Sequence, residues 1–574
     1  MLRVEACGET ILEQLRQGGT LLESPCNGKG LCGKCRVRVV EGDAGPVTEE
    51  EKRFLTPEEL LGGMRLACMA VPATPVALDP LGLLGEGEDR VLGGGEMPSI
   101  SLDPAVTAQP LALDTQAMAR GGSLLDGLPG DWGPQGPGLP LLRSLPLATQ
   151  DGEAEVVSWQ GTPVALWRPG PLWGLAVDIG TTTVAVALAD LRTGAVLGEE
   201  GFVNPQKAFG LDVLSRIHYT LEHPGGEREL QAAIVQGIQD SAQALCRRTG
   251  GTTQDVFEVA VAGNATMIHA LLGVDPASLA RAPFHNVFHG PVSLPAGELG
   301  LELHPAARVY CLSAVSAYIG GDIVAGALAT RLDEGTDTVF FVDIGTNGEM
   351  ILRQGGRLVS CSCAAGPALE GMNISCGMRA APGAVEQVTI QGDRVSLGVI
   401  GGGSPKGLCG SGLLDAVSQG LAAGAIGTNG RLASGHPLVE TDQGKRRMAL
   451  GEGLWLTQGD IRQVQLCKGA ILSGCLTLLE RLGLAPGDID QVLVAGQFGR
   501  HLSPESLVGA GLLPAAWKDK IAYVGNTSRT GALMCLLSTA ERRRAEAIAR
   551  SVSYVELATW PGYEAIFTKS MSFG

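Results

Sequence analysis

The stretch LAVDIGTTTVAVAL, residues 175–188, has a near copy in VFFVDIGTNGEMIL, residues 339–352. Each copy reads as an apolar strand, then Asp-Ile-Gly-Thr, then a second strand. A short turn follows (Arg192-Thr193-Gly194 in one, Gln354-Gly355-Gly356 in the other), and then a third apolar run. Such a repeat constrains the fold more than any single motif, because one supersecondary unit must be built twice in the same chain.

The residue types suggest what the unit binds. Asp178 and Asp343 each end a strand that reads as buried, where a lone carboxylate is costly. A hydrated Mg²⁺, usually held by one or two carboxylates together with phosphates, would account for both. Gly180 and Gly345 let the backbone approach a phosphate closely. The hydroxyls of Thr181, Thr182, Thr183 and Thr346, with Asn347 and successive backbone N–H groups, could then donate to phosphate oxygens. This is not a Walker loop: G-x-x-x-x-G-K-[ST] is missing, and the loop leads into a strand rather than a helix. Two ordinary hairpins with tight glycine turns are the alternative. That reading serves for one copy and is disfavoured by two in matching contexts.

With these motifs in place the chain resembles the sugar kinase, Hsp70 and actin superfamily. Asp178-Ile-Gly180-Thr181-Thr182-Thr183 looks like its first phosphate motif and Asp343-Ile-Gly345-Thr346-Asn347-Gly-Glu349 like its second. Gly496-Gln497-Phe498-Gly499, after the apolar run Val492–Val494, looks like its adenosine motif. The resemblance implies a duplicated RNase H-like α/β body whose two domains close over ATP.

The length of 574 residues predicts several domains. A net charge of −17 with no basic stretch argues against a nucleic-acid partner. The N-terminal MLRVEACGETILEQL lacks the apolar core of a signal peptide, and no run approaches the ~18 apolar residues of a membrane helix. A soluble, cytoplasmic protein without membrane contact is expected. Five of the 14 cysteines precede residue 70 and none lies between Cys68 and Cys246. In a cytosolic chain that clustering favours metal binding over disulfides.

The cluster itself reads Cys26-x₅-Cys32-x₂-Cys35, with Cys68 downstream. Plant-type [2Fe–2S] ferredoxins use C-x₄-C-x₂-C…C; the form one residue longer resembles adrenodoxin-like ferredoxins. Gly28, Gly30 and Gly33 would let the loop wrap a cluster. Zinc is the rival for four thiolates, but its structural sites usually pair two short knuckles, and Cys7 could in principle replace one ligand. Capping boxes at Thr10–Glu13 and Thr48–Glu51 open helices, and Thr56-Pro57 starts another. Cys35–Val40 alternates as a strand. Residues 1–80 are therefore expected to form a β-grasp ferredoxin domain. Its acidic helices read as a solvated face, with docking of a redox partner as the lesser alternative.

Gly-rich residues 81–97 read as a flexible linker, and 98–170 as a small middle domain ending in a hairpin at Ala154–Val157 and Thr162–Leu166. The body spans 171–574. Within it, Asn204-Pro-Gln206 and Gly210–Arg216 are polar loop and helix-start residues, and a helix is predicted over about 226–249. Asn264 either meets a ligand or caps a helix. Asp322 reads chiefly as an N-cap, with a metal role as the minority reading. Gly410-Ser411-Gly412 opens an apolar helix whose N-terminus could meet phosphates or ribose, and Gly525-Asn526 opens what reads as the final helix. Cys361, Cys363, Cys376 and Cys409 match no defensible cluster spacing.

A [2Fe–2S] ferredoxin joined to such a body resembles the reductive activators of corrinoid enzymes. NPQ…GLDVLSR, GNATM, GPALEGMNISCGMRA and GLCGSGLLDA all look like segments of that family. The resemblance implies an electron passed, at the expense of ATP, from a cluster on Cys26, Cys32, Cys35 and Cys68 to the Co(II) corrinoid of a methyl-transfer protein, restoring Co(I). Reduced ferredoxin or flavodoxin would load the cluster. Asp178 and Asp343 would position Mg²⁺ and the attacking water, with Glu349 assisting, and a homodimer is compatible. Three alternatives stay open. One is an activator of a radical 2-hydroxyacyl-CoA dehydratase, against which the ferredoxin cysteines argue. The others are a small-molecule kinase with an attached redox domain, and a plain ferredoxin with a degenerate nucleotide domain.

Overall fold

The fold is known as a computed structural model that describes all residues except 1, 19, 21, 23–27, 29, 31–32, 81–94, 115, 117–121, 129–135, 151–152, 443, 452 and 497–501. The two Asp-Ile-Gly-Thr copies are the leading hairpins of two six-stranded sheets. In the first, Trp173–Ile179, Thr183–Asp190 and Val196–Val203 form an antiparallel meander. Val256–Gly263 and then Arg308–Cys311 continue it in parallel on the other side of Trp173–Ile179. The second sheet repeats this order with the meander Val339–Ile344, Gly348–Gln354 and Arg357–Cys363 and the parallel strands Gln491–Ala495 and Ile521–Gly525. Each sheet adds one edge strand of its own, Val292–Pro295 in the first and Val552–Tyr554 in the second. The leading strands are buried almost throughout, and the Asp near the end of each interrupts that run. A nearly continuous apolar run is what a strand covered on both faces requires.

Two helices separate the sheets. Gly321–Ala329 leads into the second sheet, and Thr527–Leu537 follows its last long strand. The latter nevertheless packs on Trp173–Ile179 and Val256–Gly263 of the first sheet. One apolar core therefore joins Ala176 and Phe257 of the first sheet with Phe341 and Leu493 of the second. Thr527–Leu537 is not the final helix, as the sequence suggested: Thr539–Ser551 and Tyr563–Ser570 follow it. Arg542 on the first of these reaches back to the buried Glu258, with Nη1–Oε1 at 3.0 Å and Nη2–Oε2 at 2.7 Å.

At the N-terminus four antiparallel strands stand in the order Leu2–Val4, Val76–Pro80, Arg36–Glu41, Met64–Leu66. Helix Ile11–Gln17 buries Ile11, Leu12 and Leu15 beside them. The predicted capping boxes form at Thr10 and Thr48, and Thr56, expected only to start a helix, forms a third. The acidic face is not wholly solvated: Glu51 is fully buried, accepting from Arg65 Nε at 2.8 Å, Arg65 Nη2 at 2.9 Å and Leu66 N at 3.0 Å. Between the two regions Val106–Pro110, Glu155–Trp159 and Thr162–Trp167 make a three-stranded sheet. Most of the stretch read as a linker lies outside the described residues. Among the described residues no helix is long and apolar enough to cross a membrane.

The helices between the sheets meet with no room to spare. A Cβ on Gly531 would lie 2.3 Å from the Ala325 carbonyl oxygen. Gly531→Ala is therefore expected to destabilise the protein by about 1–3 kcal/mol through overpacking, read as a lowered thermal midpoint. Gly487→Ala, where a Cβ meets nothing within 4 Å, should leave the midpoint nearly unchanged.

Candidate functional site

Both Asp-Ile-Gly-Thr turns open into one cleft of about 770 Å³ between the sheets. Its lining includes Asp178 and Gly180–Thr183 from the first copy, and Asp343, Gly345–Asn347 and Glu349 from the second, with Asn264 and Gly496 beside them. The copies use the same local device: Gly180 N donates to Thr183 O at 3.0 Å, and Gly345 N to Asn347 O at 2.9 Å. Each turn thus presents the residues after its Asp toward the space between the halves.

The first loop is braced from three directions. Asp178 accepts from Asn526 Nδ2 at 2.9 Å and Ser528 Oγ at 2.7 Å, both at the start of helix Thr527–Leu537. The buried Asn204 donates through Nδ2 to Gly180 O at 2.8 Å and through its backbone to Thr182 O at 2.9 Å. The buried Arg216 guanidinium donates to Thr181 O, and to Gly210 O at 2.9 Å. Asn264 caps a helix, its Oδ1 accepting from Met267 N at 3.0 Å, while its Nδ2 donates to Thr181 Oγ1 at 3.3 Å at the lining of the cleft.

The floor of the cleft is acidic. Asp343 and Glu349 stand opposite each other across the second hairpin. Asp322 joins them from helix Gly321–Ala329, and this corrects its reading as an N-cap. Gly320 holds the cap position, and Asp322 instead accepts from Ile323 N at 2.9 Å while facing the cleft. Burial first, then repulsion from Asp178, pushes both Asp322 and Asp343 up to about 7. Glu349 lies well above the usual carboxylate range, through burial and then the charges of Asp322 and Asp343. Asp178 is also raised by burial, against the pull of Ser528 and Asn526. Such a donor set fits a cation. Among the described residues no three His, Cys, Asp or Glu side chains are arranged to hold a metal ion by themselves.

Gly496 is the part of the adenosine-like motif that can be placed. Its φ of +98° and the 2.7 Å separating a hypothetical Cβ from Asp343 Oδ1 leave room for glycine only. Gln497, Phe498 and Gly499 lie outside the described residues. Gly410, Ser411 and Gly412 do not line this cleft. They begin helix Gly410–Ala422 and are buried, and a Cβ on either glycine would fall 2.1 Å from the carbonyl oxygen of Leu369 or Val385. Close packing accounts for these glycines. Asn526, Ser528 and Glu370 have no role in the sequence reading: Asn526 and Ser528 lie at the start of helix Thr527–Leu537, and Glu370 ends the turn Pro367–Glu370 between Gly366 and Gly371.

In the N-terminal domain Cys35 and Cys68 face each other with Sγ atoms 3.2 Å apart and form no disulfide. Their mutual hydrogen bond brings Cys35 down to about 7 despite its burial. Gly33 before Cys35 has a φ of +66°, and a Cβ there would strike Phe54 at 2.6 Å. Two converging thiols, one following a tight glycine turn and the other just after strand Met64–Leu66, fit a thiolate-bound cluster. Cys26 and Cys32 lie outside the described residues, and Cys7 is exposed.

Known proteins combine these parts in the same order. Residues 2–73 match the model of a 2Fe-2S iron-sulfur cluster binding domain, 173–335 that of the RACo middle region, and 337–574 that of the C-terminal, ASKHA domain of RACo. The corrinoid activation enzyme RamQ of Eubacterium limosum is 32% identical over 421 residues, 70% of this chain and 71% of the relative. The chain belongs to the family of reductive activators of corrinoid proteins. A solved reductive activator for corrinoid, iron-sulfur protein superposes with a TM-score of 0.74 at 32% identity, over 99% of this chain and 96% of that one. The [Co(II) methylated amine-specific corrinoid protein] reductase of Methanosarcina barkeri is 25% identical over 62% of this chain and 68% of its own length.

The raised carboxylates carry a consequence for stability. A carboxyl group whose folded value exceeds its unfolded one binds more protons when folded, so stability falls as pH rises from about 4 through about 7. Asp343→Asn removes one such charge. In thermal melts of ligand-free protein the variant should exceed the native chain by about 1–2 kcal/mol at pH 8 and scarcely differ at about pH 4 or below. Mg-ATP should raise the native midpoint and leave that of the variant in place.

Proposed function

We propose that this chain is an ATP-dependent reductase that passes one electron from an N-terminal [2Fe–2S] cluster to the Co(II) corrinoid of a methyl-transfer protein, yielding Co(I). The observation that carries the reading is the pairing, in one chain of this family, of the Cys35–Cys68 thiols with the cleft built from both Asp-Ile-Gly-Thr loops. A cluster held by Cys26, Cys32, Cys35 and Cys68 supplies single-electron chemistry. Reduced ferredoxin or flavodoxin fits as donor, and a homodimer is compatible with the family.

In the cleft, phosphoryl transfer needs chiefly positioning and charge neutralisation. Thr181–Thr183, Thr346 and Asn347 offer donors to phosphate oxygens, and Asp178 and Asp343 offer carboxylates to Mg²⁺. Asn526 and Ser528 fix the rotamer of Asp178. A carboxylate poised near neutrality suits the transfer of a proton from water, and Asp322 stands there. Gly496, packed on Asp343, and the neighbouring Gln497–Gly499 would receive the adenosine.

The test is anaerobic and optical. Dithionite- or ferredoxin-reduced protein is mixed with a Co(II) corrinoid protein, and Co(I) absorbance is followed with and without Mg-ATP. The expected result is ATP-dependent Co(I), reduced at least about 100-fold in Asp343→Ala and abolished in Cys32→Ala. A loaded cluster and steady ATP turnover without Co(I) from any corrinoid protein of the host would refute the reading.

A further inference from the structure

A single carboxylate joins the two phosphate loops. Thr182 Oγ1 of the first copy donates to Glu370 Oε2 at 2.9 Å, and Thr346 Oγ1 of the second donates to Glu370 Oε1. Glu370 ends the turn Pro367–Glu370, which is stitched to the second loop by the backbone bond from Gly366 N to Thr346 O at 3.0 Å. Its link to the first loop is made by the side chain. The Arg216 guanidinium, which holds the Thr181 carbonyl, is also near enough to feel its charge.

These are the hydroxyls assigned above to phosphate oxygens. A threonine hydroxyl has one proton to donate, so it serves the carboxylate or a phosphate, not both. Two anions sharing those donors would also repel strongly in so sheltered a space. We propose that Glu370 is a latch that bridges the two halves by occupying the donors of a phosphate, and that the phosphates of ATP must expel it to bind. This inference rests on the reading of the cleft as an ATP site and deepens it. Glu370 is thus a positioning residue whose release reports the nucleotide to the rest of the body.

Close packing around the turn would carry that release to its neighbours. Gly371, next in the chain, touches the backbone of Met378 so closely that a Cβ would lie 2.5 Å from its carbonyl oxygen, and Leu369 abuts Gly410 in the same way. A turn driven off the loops therefore presses on the segment 372–378 and on the start of helix Gly410–Ala422.

A latch taxes ligand affinity by the fraction of time it is open. Glu370→Ala, and the closer isostere Glu370→Gln, should therefore bind Mg-ATP more tightly than the native chain, by about tenfold for Ala and less for Gln. Calorimetry on the full-length, cluster-loaded protein gives the affinities, and thermal melts establish that each variant is folded. Hydrogen exchange supplies the independent readout. In the native protein Mg-ATP should slow exchange at residues 180–183 and 345–348 while speeding it at 367–371, and ligand-free Glu370→Ala should already show fast exchange at 367–371. Weaker or equal ATP binding by folded variants would overturn the latch while leaving the ATP site intact. No ATP binding by native protein and variants alike would overturn the ATP reading itself, and the latch with it.

Discussion

Four half-buried carboxylates gathered in one cleft set the terms for the rest of this structure. Asp178, Asp322, Asp343 and Glu349 are all raised above the ordinary carboxylate range, first by burial and, for the last three, by the charges of their neighbours. An arrangement of this kind works against stability and is retained where a cation or a proton transfer needs it. The fold holds it together by tying the least replaceable member, Asp178, to two donors from the far end of the chain. The cleft is a place of stored electrostatic tension that ligands can relieve.

Small residues make that convergence geometrically feasible. The helices Gly321–Ala329 and Thr527–Leu537 pass between two twisted sheets, and close approach at Gly531 and Gly326 brings the ends of both leading strands together. Gly496 lets its own strand turn sharply over Asp343 at the edge of the cleft. Bulk at Gly326 or Gly531 would separate the halves, although neither residue lines the cleft.

Much of this was legible in the chain because it rests on local signals. The duplicated hairpins, the capping boxes, the cysteine spacing and the helix after Gly225 all follow from residues close in sequence. Long-range partnerships were not legible. Glu51 looked like one more solvated acid in a run of three, and only the return of Arg65 through the sheet explains its burial. Asp322 looked like a cap because an Asp beside two glycines at a helix start usually is one, whereas the chain reached that cap position two residues earlier. Gly410 and Gly412 looked like a ligand loop because packing against Leu369 and Val385 selects glycine just as a phosphate would. Asn526 and Ser528 carry no local mark of the carboxylate they hold from some 350 residues away.

That last separation bears on how the protein comes into being. Chains emerge from the ribosome N-terminus first, and domains generally fold as they appear. The first six-stranded sheet has all its strands once residue 311 has been made. Yet its leading Asp waits for Asn526 and Ser528, and its buried Glu258 waits for Arg542. The earlier half must therefore persist unfinished, an apolar face and two unpaired acids exposed, until residues 526–542 arrive to cover it. The cleft is completed only once those residues have been made, and a chain ended before them carries the N-terminal domain with no finished cleft beside it.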